Sequence, residues 1–152
     1  MSDSVTQRVE FYVIDEVSAT ARLRLACRLV EKEYLARKSV LVWHTDPEEL
    51  RVFDELLWTF ADRSFVPHEY VPQSGPCEAP VQLSTRQAPS SPIDVLINLG
   101  AEIPPCASSA PHITEVLDGD ESRRRAGRTR FKAYRDRGLQ PITHNLRDST
   151  LP

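Results

Sequence analysis

The sequence predicts a single α/β domain in which a mostly parallel sheet is flanked by helices. Three observations carry that expectation. Through about the first sixty residues, short apolar β-branched runs alternate with amphipathic stretches of helical period. Later, "IDVLINL" (Ile93–Leu99) is apolar throughout and stops at Gly100, as a central strand covered on both faces would. The chain has 152 residues, of which 40% are hydrophobic and 27% charged, enough for one sizeable core and not the balance of a disordered segment.

The elements follow in order. "VEFYVI" (Val9–Ile14) reads as a buried strand ending at Asp15. Ser18 or Thr20 is placed to cap the helix that follows. Leu23, Ala26, Cys27, Val30 and Tyr34 share one face of it, to about Arg37. "SVLVWHT" (Ser39–Thr45) is the second strand. Asp46-Pro47-Glu48-Glu49 then starts a helix with an N-cap acceptor, a proline at the first position and acids at the positive dipole end. Leu50, Phe53, Leu57 and Trp58 are read as its inner face. This βαβα start implies a parallel pair with a right-handed crossover.

Eight of the twelve prolines lie between Pro72 and Pro111, so no helix is expected there. "VQLS" (Val81–Ser84) and the central run are the strand candidates, and "HITEVLD" (His112–Asp118) supplies another. The last helix spans "ESRRRAGRTRFKAYRDRG" and is stopped by Gly138 at its C′ position. The expected core covers about residues 9–145, with no second domain.

Several function classes are excluded by the same residues. No run approaches the ~18 apolar residues of a membrane span. The start, "MSDSVTQRVEFYVIDE", has early acids and no apolar h-region, so it reads as neither signal nor transit peptide, and a cytoplasmic location is expected. Cys27, Cys77 and Cys106 form no CxxC and the four histidines are scattered singly, so no zinc site is expected. The architecture invites a Rossmann-like reading, but the first strand-to-helix turn reads "DEVSAT". No glycine precedes Gly75, and Asp15 and Glu16 would repel a pyrophosphate. A P-loop and a GxSxG elbow are absent as well. His44 lies at a strand end near Asp46, where it reads as a polar residue beside a helix cap, and His68 has no evident catalytic neighbour. The expectation is a Rossmann-like sheet without its nucleotide loop, no cofactor and no enzymatic activity.

The basic helix stands out against a net charge of −3. Glu121–Gly138 holds eight of nineteen Lys and Arg residues with two acids, so it carries +6 and the remainder −9. At 100° per residue, Arg124, Arg128, Lys132 and Arg135 form one cationic stripe. Gly127, Phe131 and Tyr134 flank it, while Ala126 and Ala133 are read as facing the core. Arg123, Arg125, Arg130 and Arg137 lie off the stripe, and the sequence leaves their role open, a solvated position being one option. The stripe admits three readings: a solvated face, a nucleic-acid contact through phosphates and stacked bases, or a receptor for an acidic peptide. The remaining −9 opposes direct DNA binding, and a small cationic patch beside an aromatic suits a peptide best.

Taken together, "FYVID", "FDELLW" (Phe53–Trp58), "SFVPHE" (Ser64–Glu69), "APVQL", "DVLINL" (Asp94–Leu99), "TEVLD" (Thr114–Asp118) and "RTRFKAYRDRG" (Arg128–Gly138) occur in an order that resembles the chi subunit of bacterial DNA polymerase III. The resemblance spans about Val9 to Asn145. It implies a non-catalytic accessory of the clamp-loader complex that bridges two partners. One is psi, a small protein tethering chi to the clamp loader. The other is the acidic C-terminal tail of single-stranded DNA-binding protein, which ends in phenylalanine. Carried over by position, the tail site comprises Arg124, Arg128, Phe131, Lys132 and Arg135, with Phe131 replacing a tyrosine common there. The psi-facing surface comprises Trp58, Phe65 and Pro67. Direct binding of single-stranded nucleic acid by the basic helix is the alternative.

Overall fold

The computed structural model describes residues 7–72, 77–89 and 91–146. Seven strands form one sheet in which every pairing is parallel: β1 Arg8–Ile14, β2 Val40–Trp43, β3 His68–Tyr70, β4 Val81–Ser84, β5 Val95–Asn98, β6 His112–Leu117 and β7 Ile142–Leu146. Their order is β3-β4-β2-β5-β6-β1-β7, so the apolar β5 run is indeed the middle strand. Three helices join them: α1 Ala19–Leu35, α2 Pro47–Thr59 and α3 Glu121–Asp136.

Alternation along the strands sends side chains to two cores. Tyr12, Ile14, Val42, Leu83, Ile97 and Val116 meet α1 and α2 on one face. Phe11, Trp43, Leu96, Ile113 and Leu117 meet Tyr134 of α3 on the other. From β1 the chain runs toward the β3 edge, and from β6 it runs toward the β7 edge. Crossovers of one hand therefore place α1 and α3 on opposite faces.

The helix ends follow their sequence signals. Ser18 caps α1 by accepting from Ala21 N, and Asp46 caps α2 by accepting from Glu48 and Glu49 N. After α3, Gly138 sits at φ 86°, its N–H donates to Arg135 O, and Leu139 N–H donates to Tyr134 O. That is a Schellman closure, in which a left-handed residue satisfies two terminal carbonyls. The same closure ends α1 at Leu35, with Arg37 at φ 64° as the left-handed residue and Lys38 N–H donating to Glu33 O.

The structure differs from the sequence expectation in four places. The two edge strands, β3 and β7, were not foreseen: "HEY" is too short to show a period, and "ITHNL" is largely exposed and polar. Within the proline-rich stretch, Pro105–Ser109 forms a single 3-10 turn. Proline is tolerated there because a helix's first N–H groups have no internal partner. Trp58 is not on the inner face of α2; it is 45% exposed, while Leu50, Phe53 and Leu57 are buried. The core face of α3 is Gly127, Arg130 and Tyr134, with Ala126 and Ala133 only half-buried.

A buried carboxylate secures the β7 edge. Glu10 of β1 accepts from His112 Nε2 of β6 at 2.7 Å and from His144 Nε2 of β7 at 2.8 Å. Burial alone would raise the Glu10 pKa, but His144, Arg8 and His112 together hold it down at about 2. The His144 ring also stacks on Tyr12 at 4.6 Å. Polar side chains thus fix a strand that hydrophobic patterning alone would leave loose. No helix among the described residues is long and apolar enough to cross a membrane.

Candidate functional site: a cationic groove along the last helix

Helix α3 begins where β6 delivers it. Asp120 caps it by accepting from Arg123 N, and Glu121 in the first turn complements the helix dipole. The inner face is anchored to one fully buried carboxylate, Glu115 of β6. Arg130 Nε donates to it at 3.0 Å, Tyr134 Oη at 2.7 Å and Asn98 Nδ2 at 3.1 Å, while Arg130 Nη1 donates to Ala101 O at 2.6 Å. Complete burial pushes the Glu115 pKa up, and Arg130, Tyr134 and Asn98 pull against that. Arg130 is only 4% exposed. The sequence left its role open; the fold makes it the cation that allows a carboxylate to sit in the core.

Gly127 decides how closely α3 lies on the sheet. A Cβ there would fall 2.5 Å from Leu117 Cδ1, so only glycine permits this approach without displacing that side chain. Beside this contact a groove of about 710 Å³ opens between the outer flank of α3 and the β1/β7 side of the sheet. Its floor is Phe11, Val13 and Leu117, and Thr143 of β7 closes the far side. Phe131 leans over the floor with its ring 5.3 Å from that of Phe11.

All five residues assigned from the sequence to one site (Arg124, Arg128, Phe131, Lys132 and Arg135) line this groove. Their charges are held in different ways. The Arg124 guanidinium is fixed by carbonyls at the strand ends, Nε to Asp118 O at 3.0 Å and Nη2 to Ile14 O at 3.2 Å. Arg128 Nη2 donates to Glu121 at 2.9 Å, and Lys132 Nζ to Asp136 at 3.0 Å. Arg135 is exposed. Cations around an apolar floor can bind a chain that carries both carboxylates and a large apolar side chain.

Sequence reasoning missed the floor. The alternation of β1 puts Phe11 and Val13 on one face, which was legible, but nothing local says that α3 leaves that face partly open.

The carboxyl ends of the strands, where open α/β sheets commonly bind ligands, are otherwise occupied. A cavity of about 210 Å³ there is bordered by Arg22, Arg123 and Arg130. Each guanidinium has its own carboxylate: Arg22 with Glu49 at 3.0 Å, Arg123 with Asp118 at 2.7 Å, and Arg130 with Glu115. Asp118 also accepts from Ser18 N at 2.9 Å, which ties the turn after β1 to the turn after β6. Arg123, whose role the sequence left open, is thus a structural ion-pair partner. His44 donates to Glu49 at 2.7 Å, and that bond leads the causes that hold the Glu49 pKa down at about 2. Among the described residues, no group of three or more His, Cys, Asp and Glu side chains is arranged to hold a metal.

A second surface lies at the opposite sheet edge and on the opposite face. Trp58 at the end of α2 packs its ring 5.4 Å from Phe65, which is 66% exposed, and 4.1 Å from buried His68. Pro67 is half-buried beside them, and His68 Nε2 meets Asp54 at 2.7 Å. Tyr70 of the edge strand β3 is also exposed. Trp58, Phe65 and Pro67 are brought together here, well away from the α3 groove.

Comparison with known proteins is consistent along the chain. The family model described as DNA polymerase III chi subunit, HolC, matches residues 6–141. A DNA polymerase III subunit chi of Pseudomonas aeruginosa is 34% identical, over 91% of this chain and 96% of its own length. The Escherichia coli subunit of that name is 29% identical over 85% of this chain and 91% of its own, and that of Haemophilus influenzae 26% over 93% and 99%. The chain belongs to the DNA polymerase III chi subunit family, and so to the accessory subunits of the replicative polymerase.

Proposed function

We propose that this chi-family chain bridges two proteins of the replication machinery, with no catalysis of its own. The α3 groove takes the acidic C-terminal tail of single-stranded DNA-binding protein. The Trp58, Phe65 and Pro67 surface takes psi and through it the clamp loader. A cytoplasmic location goes with that role. The observation that carries the reading is the union, in one groove, of a cationic rim with an apolar floor of Phe11, Val13 and Leu117. An acidic tail ending in phenylalanine needs both. The placement of the two surfaces at opposite sheet edges supports bridging, since both partners can be held at once.

The magnitudes agree with a weak, reversible contact. Burying the terminal phenylalanine contributes about 1.5–3 kcal/mol, and each charge-assisted hydrogen bond about 1.5–3 kcal/mol. After the cost of ordering a flexible tail, roughly 6–8 kcal/mol remain, a micromolar affinity. Several tails presented together on DNA would strengthen the grip. The −9 carried by the rest of the chain disfavours direct binding to nucleic acid.

Fluorescence anisotropy with a labelled acidic peptide ending in phenylalanine tests the tail site. Micromolar binding is expected, with loss when the last residue is removed. Tight binding of single-stranded DNA at physiological salt, without peptide binding, would instead assign the groove to nucleic acid.

A further inference from the structure

Along the groove the cations divide by what holds them. Arg124 is hydrogen-bonded by the Asp118 and Ile14 carbonyls, with the exposed Asp15 carboxylate at 3.9 Å, beyond hydrogen-bond reach. Arg128 stands between two further cations one turn away on either side, Arg124 and Lys132, and its guanidinium reaches back to Glu121 at 2.9 Å. That pair is seven residues apart, about two turns or roughly 10 Å of helix axis. It is not the common i,i+4 pairing, and both side chains must extend along the helix to make it. Both are 65% exposed, so no packing locks the contact. Arg128 also draws the Glu121 pKa down, first by the hydrogen bond and then by its charge.

We propose that the Glu121 carboxylate is an internal competitor for the groove: it occupies Arg128 in the free protein, and an acidic chain must displace it to bind. This rests on the tail-receptor reading and adds its regulation. Along the stripe Arg128 is capped by Glu121 at 2.9 Å and Lys132 by Asp136 at 3.0 Å, while the carboxylate nearest the Arg124 guanidinium, Asp15, stands off at 3.9 Å. Glu121 thereby discriminates against chains too weakly acidic to replace it. It also prevents the stripe from presenting its whole charge to any passing anion. An exposed ion pair of this kind is worth at most about 1 kcal/mol, so displacing it is a tuning step and not a barrier.

The experiment is peptide anisotropy on the full chain at low ionic strength, with Glu121→Gln, Glu55→Gln, Arg128→Ala and the double variant Glu121→Gln/Arg128→Ala. Glu55→Gln makes the same change of net charge on α2, which packs against the other face of the sheet. Glu121→Gln should tighten the peptide about threefold. Glu55→Gln should leave affinity unchanged. Added salt should erase the gain, and so should removal of Arg128. No tightening in Glu121→Gln, an equal gain in Glu55→Gln, or a gain that persists without Arg128 overturns the proposal while the tail reading stands. A wild-type chain that binds no peptide overturns both.

Discussion

On α3, Arg130 lies 4% exposed against Glu115, with Tyr134 and Asn98 on the same carboxylate. Arg128, two residues earlier, extends a side chain that is 65% exposed over a groove. The two are chemically identical and nearly adjacent, yet one belongs to the fold and the other to the surface that meets partners. The difference comes from what lies opposite. Arg130 faces the buried carboxylate of β6, where losing the cation strands a charge. Arg128 faces water and Glu121, where losing it strands nothing. An arginine-rich helix can thus contain a structural half and a recognition half, separated by 160° or so of rotation.

The contrast can be tested from its strongest side. Replacing Arg130 by methionine keeps most of the volume but leaves Glu115 uncompensated, at a cost of about 3–5 kcal/mol. A thermal melt should shift down by roughly 10 °C. Arg128→Met, melted alongside, should move by less than about 0.5 kcal/mol. Equal shifts for the two would erase the distinction.

A smaller effect is expected in binding. Arg128→Ala should weaken the acidic peptide by about tenfold or more, the worth of one charge-assisted bond, with the melt unchanged. If affinity holds and only stability drops, Arg128 belongs with Arg130.

Gly127 sits on the border between the two halves. Gly127→Ala gains helix propensity of about 1 kcal/mol, against the displacement of Leu117, whose Cδ1 is 2.5 Å from the new Cβ. Because Leu117 can yield into the groove, stability should change by less than about 1 kcal/mol while the floor rises and peptide affinity falls a few-fold. A calorimetric melt and the anisotropy titration separate these outcomes. Unchanged affinity would mean that Leu117 moves elsewhere.

Much of this molecule was legible before any coordinates. Asp46-Pro47 and Gly138 signal helix ends by local chemistry, so α2 started and α3 stopped where read. The β5 run was central because only a strand covered on both faces can be apolar throughout. The spacing of Arg124, Arg128, Lys132 and Arg135 placed them on one stripe, since the helical period is fixed by the backbone. These features depend on residues within a few positions of one another.

Other features depend on residues far apart in sequence. Trp58 was read as an inner-face residue, yet it lies about 100° round from Leu57 and is exposed, with ring partners Phe65 and His68 supplied by the chain beyond α2. The strands β3 and β7 have no pattern of their own and exist because β4 and β1 offer them an edge; His144 reaching Glu10 helps to hold the latter. Helical period put Arg130 off the stripe but could not give it Glu115, which comes from a strand fifteen residues earlier. Phe11 and Val13, more than a hundred residues from α3, became the groove floor only when Gly127 let the helix settle on Leu117. The sequence by itself determined the elements and the charged stripe, through local backbone chemistry and periodicity. Which arginine was buried, and where a groove remained, was decided by tertiary packing, because burial and charge compensation are properties of partners brought together from distant parts of the chain.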